Sequence, residues 1–289
     1  MIEPAYQDLV DTAVTGARAG AEVLLHHFRG RDLQIRAKDT HDLVSRADHE
    51  SEARVIAEIQ RRFPDHRILA EESGWRGERG GEEAEYEWII DPLDGTANFL
   101  QGLPIFCLSI ACRHRGELVA GAVLDPCGDN LFTAARGEGA LWNGRPMRVS
   151  AHRDLDGAFL ATGYPFRARR ALDLYLRVFR EVFLAARAIR RCGAAALDLA
   201  YTAAGVYDGF FEFRLSPWDV AAGALLVREA GGTVTDLDGG DDFLTSGNVV
   251  AAPRPIHPRL LATVRRHVDE ARLEVVDPQR NILVAAPVG

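Results

Sequence analysis

The chain has 289 residues, 47% of them hydrophobic, and at this size roughly 75% of the unfolded surface can be buried, so a folded globular protein is expected. Acidic residues outnumber basic ones, 42 to 34, which argues against a nucleic-acid footprint and requires any phosphate-bearing ligand to be met by local positive charge. No apolar run approaches the ~20 residues of a membrane span, the first residues lack the basic-then-apolar order of a signal peptide, and four cysteines without C-x-x-C spacing read as free thiols of a cytoplasmic protein.

In chain order, Leu9, Ala13, Ala17, Ala21, Leu24 and Phe28 recur at helical spacing and predict a long helix over residues 4 to 28. Residues 33 to 42, with Lys38, Asp39, His41 and Asp42, read as a polar loop or short hairpin. A second helix is expected from about Leu43 to Phe63, with Val44, Ala47, Ala53, Ile56 and Ile59 inward and Pro64 closing it. Residues 67 to 74 read as a short buried strand ending in Glu71 and Glu72, and the Gly- and Glu-rich stretch to residue 85 as a solvated loop. Runs over Phe106–Cys112, Leu118–Leu124 and Leu131–Ala135, separated by turns, predict an antiparallel meander, with Cys107 and Cys112 on opposite faces. Beyond it, strands and helices alternate. Strands are expected at 159–162, 188–191, 210–213, 233–235 and 249–252. Helices are expected at 169–185, 194–204, 217–230 and from 256 to about 273. In the first of these helices Leu172, Tyr175, Leu176, Phe179, Val182 and Phe183 form the apolar face. No repeat or flexible linker interrupts the order. Stacked α and β layers follow, as one domain over 1–289 with halves of about 1–150 and 151–273 and a tail at 274–289.

The most informative stretch is Trp88 to Phe99, W-I-I-D-P-L-D-G-T-A-N-F. The β-branched run suits a buried strand, Pro92 is expected to end it for want of an N–H, Gly95 permits a turn, and Thr96 suits the N-cap of a short helix. Asp91 and Asp94 thus leave a strand tip together, the Leu93 carbonyl between them, with the Gly95 and Thr96 amides next in line. Hard cations such as Mg²⁺ take carboxylate and phosphate oxygens together, so the pattern suits metal–phosphate chemistry. A bare D-x-x-D fits an acidic turn before a capped helix better than a metal site, and the wider stretch reverses that order. Ser216-Pro217-Trp218-Asp219 has helix-start grammar of its own, Ser as cap, Pro in the first turn and Asp against the dipole. The nine histidines are scattered, and a zinc site is not expected.

D-P-L-D-G-T-A-N-F resembles the signature of the inositol monophosphatase family, Mg²⁺-dependent and lithium-sensitive, with Ala97 where Thr is usual. L-A-E-E-S at 69–73, D-L-V-S-R-A-D at 42–48, C-G-A-A-A-L-D-L-A at 192–200 and W-D-V-A-A-G-A-L-L-V-R-E-A-G-G at 218–232 resemble its other motifs, in order, over residues 36 to 270. The resemblance implies an α/β fold, the layered α-β-α-β-α sandwich of the fructose-bisphosphatase-like sugar phosphatases. It implies hydrolysis of a small phosphorylated polyol or sugar, inositol 1-phosphate first, with fructose 1,6-bisphosphate, histidinol phosphate or an adenosine bisphosphate as alternatives, and an inactive binding protein as a second alternative. Two or three Mg²⁺ ions would be held by Glu71, Asp91, the Leu93 carbonyl, Asp94 and Asp219. Thr96 with Asp48 would orient the attacking water, with Glu71 and Lys38 beside them. Gly95, Thr96, Gly193, Ala194, Glu212 and Asp219 would contact substrate, Glu212 through its sugar hydroxyls. A homodimer, and neither a nucleic-acid nor a membrane partner, completes the expectation.

Overall fold

The computed structural model describes residues 6–30, 36–39, 42–77, 85–165, 172–268, 275–277 and 282–284. Helix α1 (Tyr6–His27) buries Leu9, Ala13, Ala17, Ala21 and Leu24, the stripe its spacing predicts. A two-stranded ribbon of β1 (Arg36–Asp39) and β2 (Asp42–Val44) follows, then α2 (Arg46–Arg62). α2 starts later than its apolar pattern suggests because Ser45 caps it. The Ser45 hydroxyl accepts from the Ala47 N–H at 3.2 Å, and Asp48 accepts from the Ser45 N–H at 2.8 Å. Val44 therefore belongs to β2, and Val55 takes the inward place expected of Ala53, which is exposed.

The first sheet holds β3 (Arg67–Ala70), β4 (Gly74–Arg76), β5 (Tyr86–Asp94), β6 (Cys107–His114), β7 (Glu117–Asp125), β8 (Asn130–Ala135), β9 (Gly139–Trp142) and β10 (Arg145–Met147), with the short helix α3 (Thr96–Leu100) after β5. Their order is β10-β9-β8-β7-β6-β5-β3-β4, and β3 runs parallel to β5. The meander is real and two strands longer than its apolar runs showed. β5 does not stop at Pro92: its register against β6 shifts between Asp91 and Asp94, and this irregularity absorbs the missing N–H.

The second sheet holds β11 (Phe159–Thr162), β12 (Ala188–Arg190), β13 (Gly209–Glu212), β14 (Gly232–Thr235) and β15 (Val249–Pro253), in the order β12-β11-β13-β15-β14. Its helices are α4 (Leu172–Ala185), α5 (Ala195–Ala203), α6 (Pro217–Glu229), the short α7 (Phe243–Ser246), which sequence reading missed, and α8 (His257–Val268). A second ribbon, β16 (Val275–Asp277) and β17 (Ile282–Val284), lies in the tail.

Three apolar clusters fill the spaces between five layers. One joins α1 and α2 to the first sheet through Ile68, Trp88, Ile90, Leu108 and Ile110. The second packs α5 and α6 between the sheets, against Leu69, Ile89, Val123 and Phe132 on one side and Phe210, Val249 and Ala251 on the other. The third joins the far face of the second sheet to α4 and α8 through Leu160, Phe211, Val250 and Leu260. The result is the layered α-β-α-β-α sandwich. Alternation along the strands assigns the faces: Trp88 and Ile90 meet α1 and α2 while Ile89 meets α5 and α6, and Cys107 and Cys112 likewise belong to opposite clusters. α4 is turned from its expected pose. It buries Leu174, Tyr175, Val178 and Val182, while Leu172, Leu176 and Phe183 are exposed. Its apolar stripe is wider than the contact it makes, so periodicity alone could not select the inward part.

Candidate active site

The tips of β3 and β5, the loop before α5, the end of β13 and the start of α6 converge on one pocket of about 200 Å³. Glu71, Asp91, Leu93, Asp94, Gly95, Thr96, Gly193, Ala194, Glu212 and Asp219 all line it, so the structure brings these expected site residues together. Lys38 lies on β1, and its side chain falls outside the described residues. Asp48 stands behind the pocket on α2 and reaches it through Thr96.

Asp91, Asp94 and Asp219 are all buried, and one carboxylate oxygen from each lies within 4.8 Å of the others. Each has one oxygen tied to a backbone amide. Leu93 N–H donates to Asp91 Oδ1 at 2.9 Å, Ala196 N–H to Asp94 Oδ2 at 2.7 Å, and Ser216 N–H to Asp219 Oδ2 at 2.7 Å. The last is half of a reciprocal cap, in which Ser216 is the N-cap as its sequence suggests and Asp219 does more than meet the dipole. Glu71 lines the same pocket outside this closest trio, near enough for its charge to act on both Asp91 and Asp94.

The electrostatics show what the trio lacks. Burial, then the carboxylates of Glu71, Asp94 and Asp219, push Asp91 well above the ordinary carboxylate range. Burial and then Asp219 raise Asp94 to about 7, opposed by the Ala196 amide. A cluster of buried, mutually repelling carboxylates with oxygen-only donors fits a hard divalent cation, whose charge would reverse both effects.

Thr96 does not cap α3. Gly95 takes that place with φ of 92°, a left-handed conformation suited to glycine, and a Cβ there would stand 3.0 Å from the Ile105 carbonyl oxygen. Thr96 is instead the first helical residue, and its hydroxyl has one proton for two acceptors, Asp48 Oδ1 at 3.2 Å and the Leu93 carbonyl at 3.0 Å. Asp48 Oδ2 is held by the Ser45 amide and by the Ser45 hydroxyl at 2.6 Å.

Across the pocket, burial first, then Asp198, Asp219 and Asp94, hold Glu212 well above the usual carboxylate range. Its carboxylate lies against Gly163, where a Cβ would fall 1.8 Å from Oε1, so a side chain there would displace the Glu212 carboxylate. Arg191, which also lines the pocket, packs its guanidinium 5.2 Å from the Tyr164 ring centroid.

Residues 5–269 match the model of the inositol monophosphatase family. The chain belongs to that family. A Pseudomonas aeruginosa relative named Nus factor SuhB is 46% identical over 265 residues, covering 91% of this chain and 97% of its own. The crystal structure of extragenic suppressor protein SuhB from Bartonella henselae shares 41% identity and superposes with a TM-score of 0.85 over 90% of this chain and 99% of that one. An inositol monophosphatase from Anabaena shares 38% identity, with a TM-score of 0.80 over 90% and 96% of the two chains.

Within this family member, several buried polar residues that support the site were not read from the sequence. Ser51 donates to the Pro92 carbonyl at 3.0 Å, and Glu52 accepts from the Glu72 N–H at 2.8 Å. Asp48, Ser51 and Glu52 stand at helical spacing on one buried face of α2, a signal present in D-H-E-S-E. Asp198 on α5 is buried, and its Oδ1 has no hydrogen-bond partner among the described residues. Burial, then Asp94, raises it well above the carboxylate range.

Proposed function

We propose that this chain is a Mg²⁺-dependent phosphatase of small phosphomonoesters, with inositol 1-phosphate as the first substrate to test. The observation that carries this reading is the buried trio of Asp91, Asp94 and Asp219, each aimed by a backbone amide into a pocket that Thr96 and Glu212 also line. In it the trio, with Glu71 and the Leu93 carbonyl, holds two or three Mg²⁺ ions. When bound, Mg²⁺ supplies positive charge to the phosphoryl oxygens and acidifies water. Thr96, steadied by Asp48, orients the attacking water, and Lys38 joins the catalytic set on the family resemblance alone. The amides of Gly95 and Thr96, with Gly193 and Ala194 opposite, seat the phosphate. Glu212 meets ring hydroxyls.

Because β5 of the first sheet and α6 both supply the trio, we treat the sandwich as one catalytic domain. The exposed Leu172, Leu176, Phe183 and Leu184 of α4 are consistent with a homodimer, a second copy covering that face. Among the described residues no helix is long and apolar enough to cross a membrane; a cytoplasmic location is part of the proposal. Fructose 1,6-bisphosphate, histidinol phosphate and adenosine bisphosphates are the competing substrates. The deciding experiment is phosphate release from this panel with MgCl₂ and with excess chelator. We expect turnover of inositol 1-phosphate that chelator abolishes, and full activity in chelator would overturn the metal assignment.

The relatives named Nus factor SuhB favour a second reading, in which the chain serves as a binding factor. A factor without turnover has no need of three converging carboxylates, so the intact trio supports the enzyme reading. Absence of phosphate release across the panel would turn the balance to the factor.

A further inference from the structure

Two buried polar side chains of β6, Cys107 and Ser109, have no part in the scheme above. They are 0% and 1% exposed and point to the same side of the sheet as the trio. On that face Ala111 and Val123 are apolar, while the buried Asp125 at the end of β7 is close enough for its charge to act on Cys107.

The sheet register gives each a counterpart. Cys107 lies opposite Asp94 on β5, and Ser109 lies opposite Asp91. The Cys107 thiol is 3.6 Å from Asp94 Oδ2, the oxygen that also accepts from the Ala196 amide. Two donors on Oδ2 leave Oδ1 to face the pocket. Ser109 makes a different link. Its hydroxyl donates at 2.9 Å to the carbonyl of Trp218, the residue before Asp219 in the first turn of α6. That bond ties the helix bearing Asp219 to the strand beside the one bearing Asp91 and Asp94.

We propose that Cys107 and Ser109 are positioning residues for the acidic trio: Cys107 fixes the rotation of the Asp94 carboxylate, and Ser109 fixes the distance from α6 to β5. The inference rests on reading the trio as the Mg²⁺ site. Left to themselves, three like charges this close would swing apart. The two side chains set that separation from below, out of reach of solvent and substrate. Donors behind a metal ligand set its orientation and basicity, and their loss typically weakens metal affinity by about tenfold or more.

The test uses the full chain and MgCl₂, read without turnover. Thermal denaturation is followed through a Mg²⁺ titration, and the midpoint of the Mg²⁺-induced rise in Tm reports affinity. Cys107→Ala and Ser109→Ala are expected to raise that midpoint by about tenfold. Cys107→Ser, which keeps a donor, is expected to restore most of it, and Cys107→Val, which keeps volume without a donor, stands in should the alanine variant fold poorly. In turnover, the Mg²⁺ concentration for half-maximal rate should rise in parallel, with a smaller change in KM for inositol 1-phosphate at saturating Mg²⁺. If the alanine and valine variants lower Tm equally with and without Mg²⁺ and leave the midpoint at the wild-type value, the two residues only pack, and the proposal falls. A serine variant as weak as alanine removes the role of Cys107. A wild-type chain with no Mg²⁺-dependent change in Tm overturns the metal reading itself, and this inference with it.

Discussion

Asp94→Asn should have opposite effects on stability and on turnover. In the metal-free protein the Asp94 carboxyl is raised from 3.8 to about 7, so the native state binds a proton more tightly than the unfolded chain does. Stability is then greatest below pH 3.8, declines as pH rises towards 7, and stays reduced above it. At 1.36 kcal/mol per pH unit, the ceiling on that loss at pH 8 is about 4 kcal/mol. Asparagine carries no charge, so it escapes this penalty. Its side-chain oxygen can still accept from the Ala196 N–H that now meets Oδ2 at 2.7 Å, with the NH₂ turned to the other two aspartates. In chelator at pH 8 the variant should therefore melt several degrees above wild type, and the gain should shrink by pH 5, where wild-type Asp94 is already protonated. Turnover should move the other way, because one anionic ligand is lost and an NH₂ faces the cation. A fall in kcat of at least 100-fold, about 2.7 kcal/mol, is expected. Melting curves in chelator at the two pH values, together with phosphate release in saturating Mg²⁺, give both readings. A variant less stable than wild type in chelator at pH 8 would contradict the electrostatic account. One that keeps more than about a tenth of wild-type kcat, a loss under ~1.4 kcal/mol, would remove Asp94 from the ligand set.

Two further outcomes are open to measurement. Glu212→Gln is expected to raise KM for inositol 1-phosphate with a smaller change in kcat, since a contact remote from the phosphorus is mostly uniform binding. Nitrophenyl phosphate, which has no ring hydroxyls, should hardly notice, and equal losses on both substrates would place Glu212 in support of the metal site or the fold. His66 is stacked between Phe63 and Tyr86 at centroid distances of 4.5 and 4.6 Å, and its Nδ1 accepts from the Trp88 indole at 3.1 Å. Burial lowers its pKa from 6.5 to about 4, so its contribution is intact above pH 6.5 and is lost as pH falls towards 4. After allowance for solvent screening the loss is about 1–2 kcal/mol. His66→Phe should flatten the decline in Tm between pH 7 and 4.5, and an unchanged decline would assign the acid sensitivity elsewhere.

What could be read in the chain was local. Asp91, Leu93, Asp94, Gly95 and Thr96 are consecutive or nearly so, and their order already states that two carboxylates and two amides leave one strand tip. Asp219 was legible only through the resemblance of 218–232 to a family motif, since its capping grammar accounts for it without a metal; that same cap is how the backbone aims it. The residues that were missed act across space. Cys107 and Ser109 sit in an apolar run where periodicity sees only a strand, and their partners emerge only from the register of β6 against β5 and from the seat of α6. Pro92 misled for the opposite reason: the local rule that proline ends a ladder is sound, but an irregular register lets the strand continue past it. The outward Leu172, Leu176 and Phe183 show the same limit, since hydrophobicity marks a face without saying what covers it.

α6 is buried without interruption from Pro217 to Val227, and two glycines set how tightly it is gripped. A Cβ on Gly121 of β7 would stand 3.3 Å from the Cα of Ala222, and one on Gly223 would stand 2.5 Å from the Cβ of Leu199 on α5. The helix therefore has no slack on either side, and Asp219 rides at its end. Gly121 and Gly223 touch neither pocket nor phosphate, yet they act as the shims of a caliper whose jaws are Asp219 on one side and Asp91 and Asp94 on the other. A methyl added at Gly121 would press α6 away from the first sheet and widen the gap between the jaws, so, on the proposed metal reading, the choice among divalent ions of different radius is adjustable from a position that a search confined to the pocket would never sample.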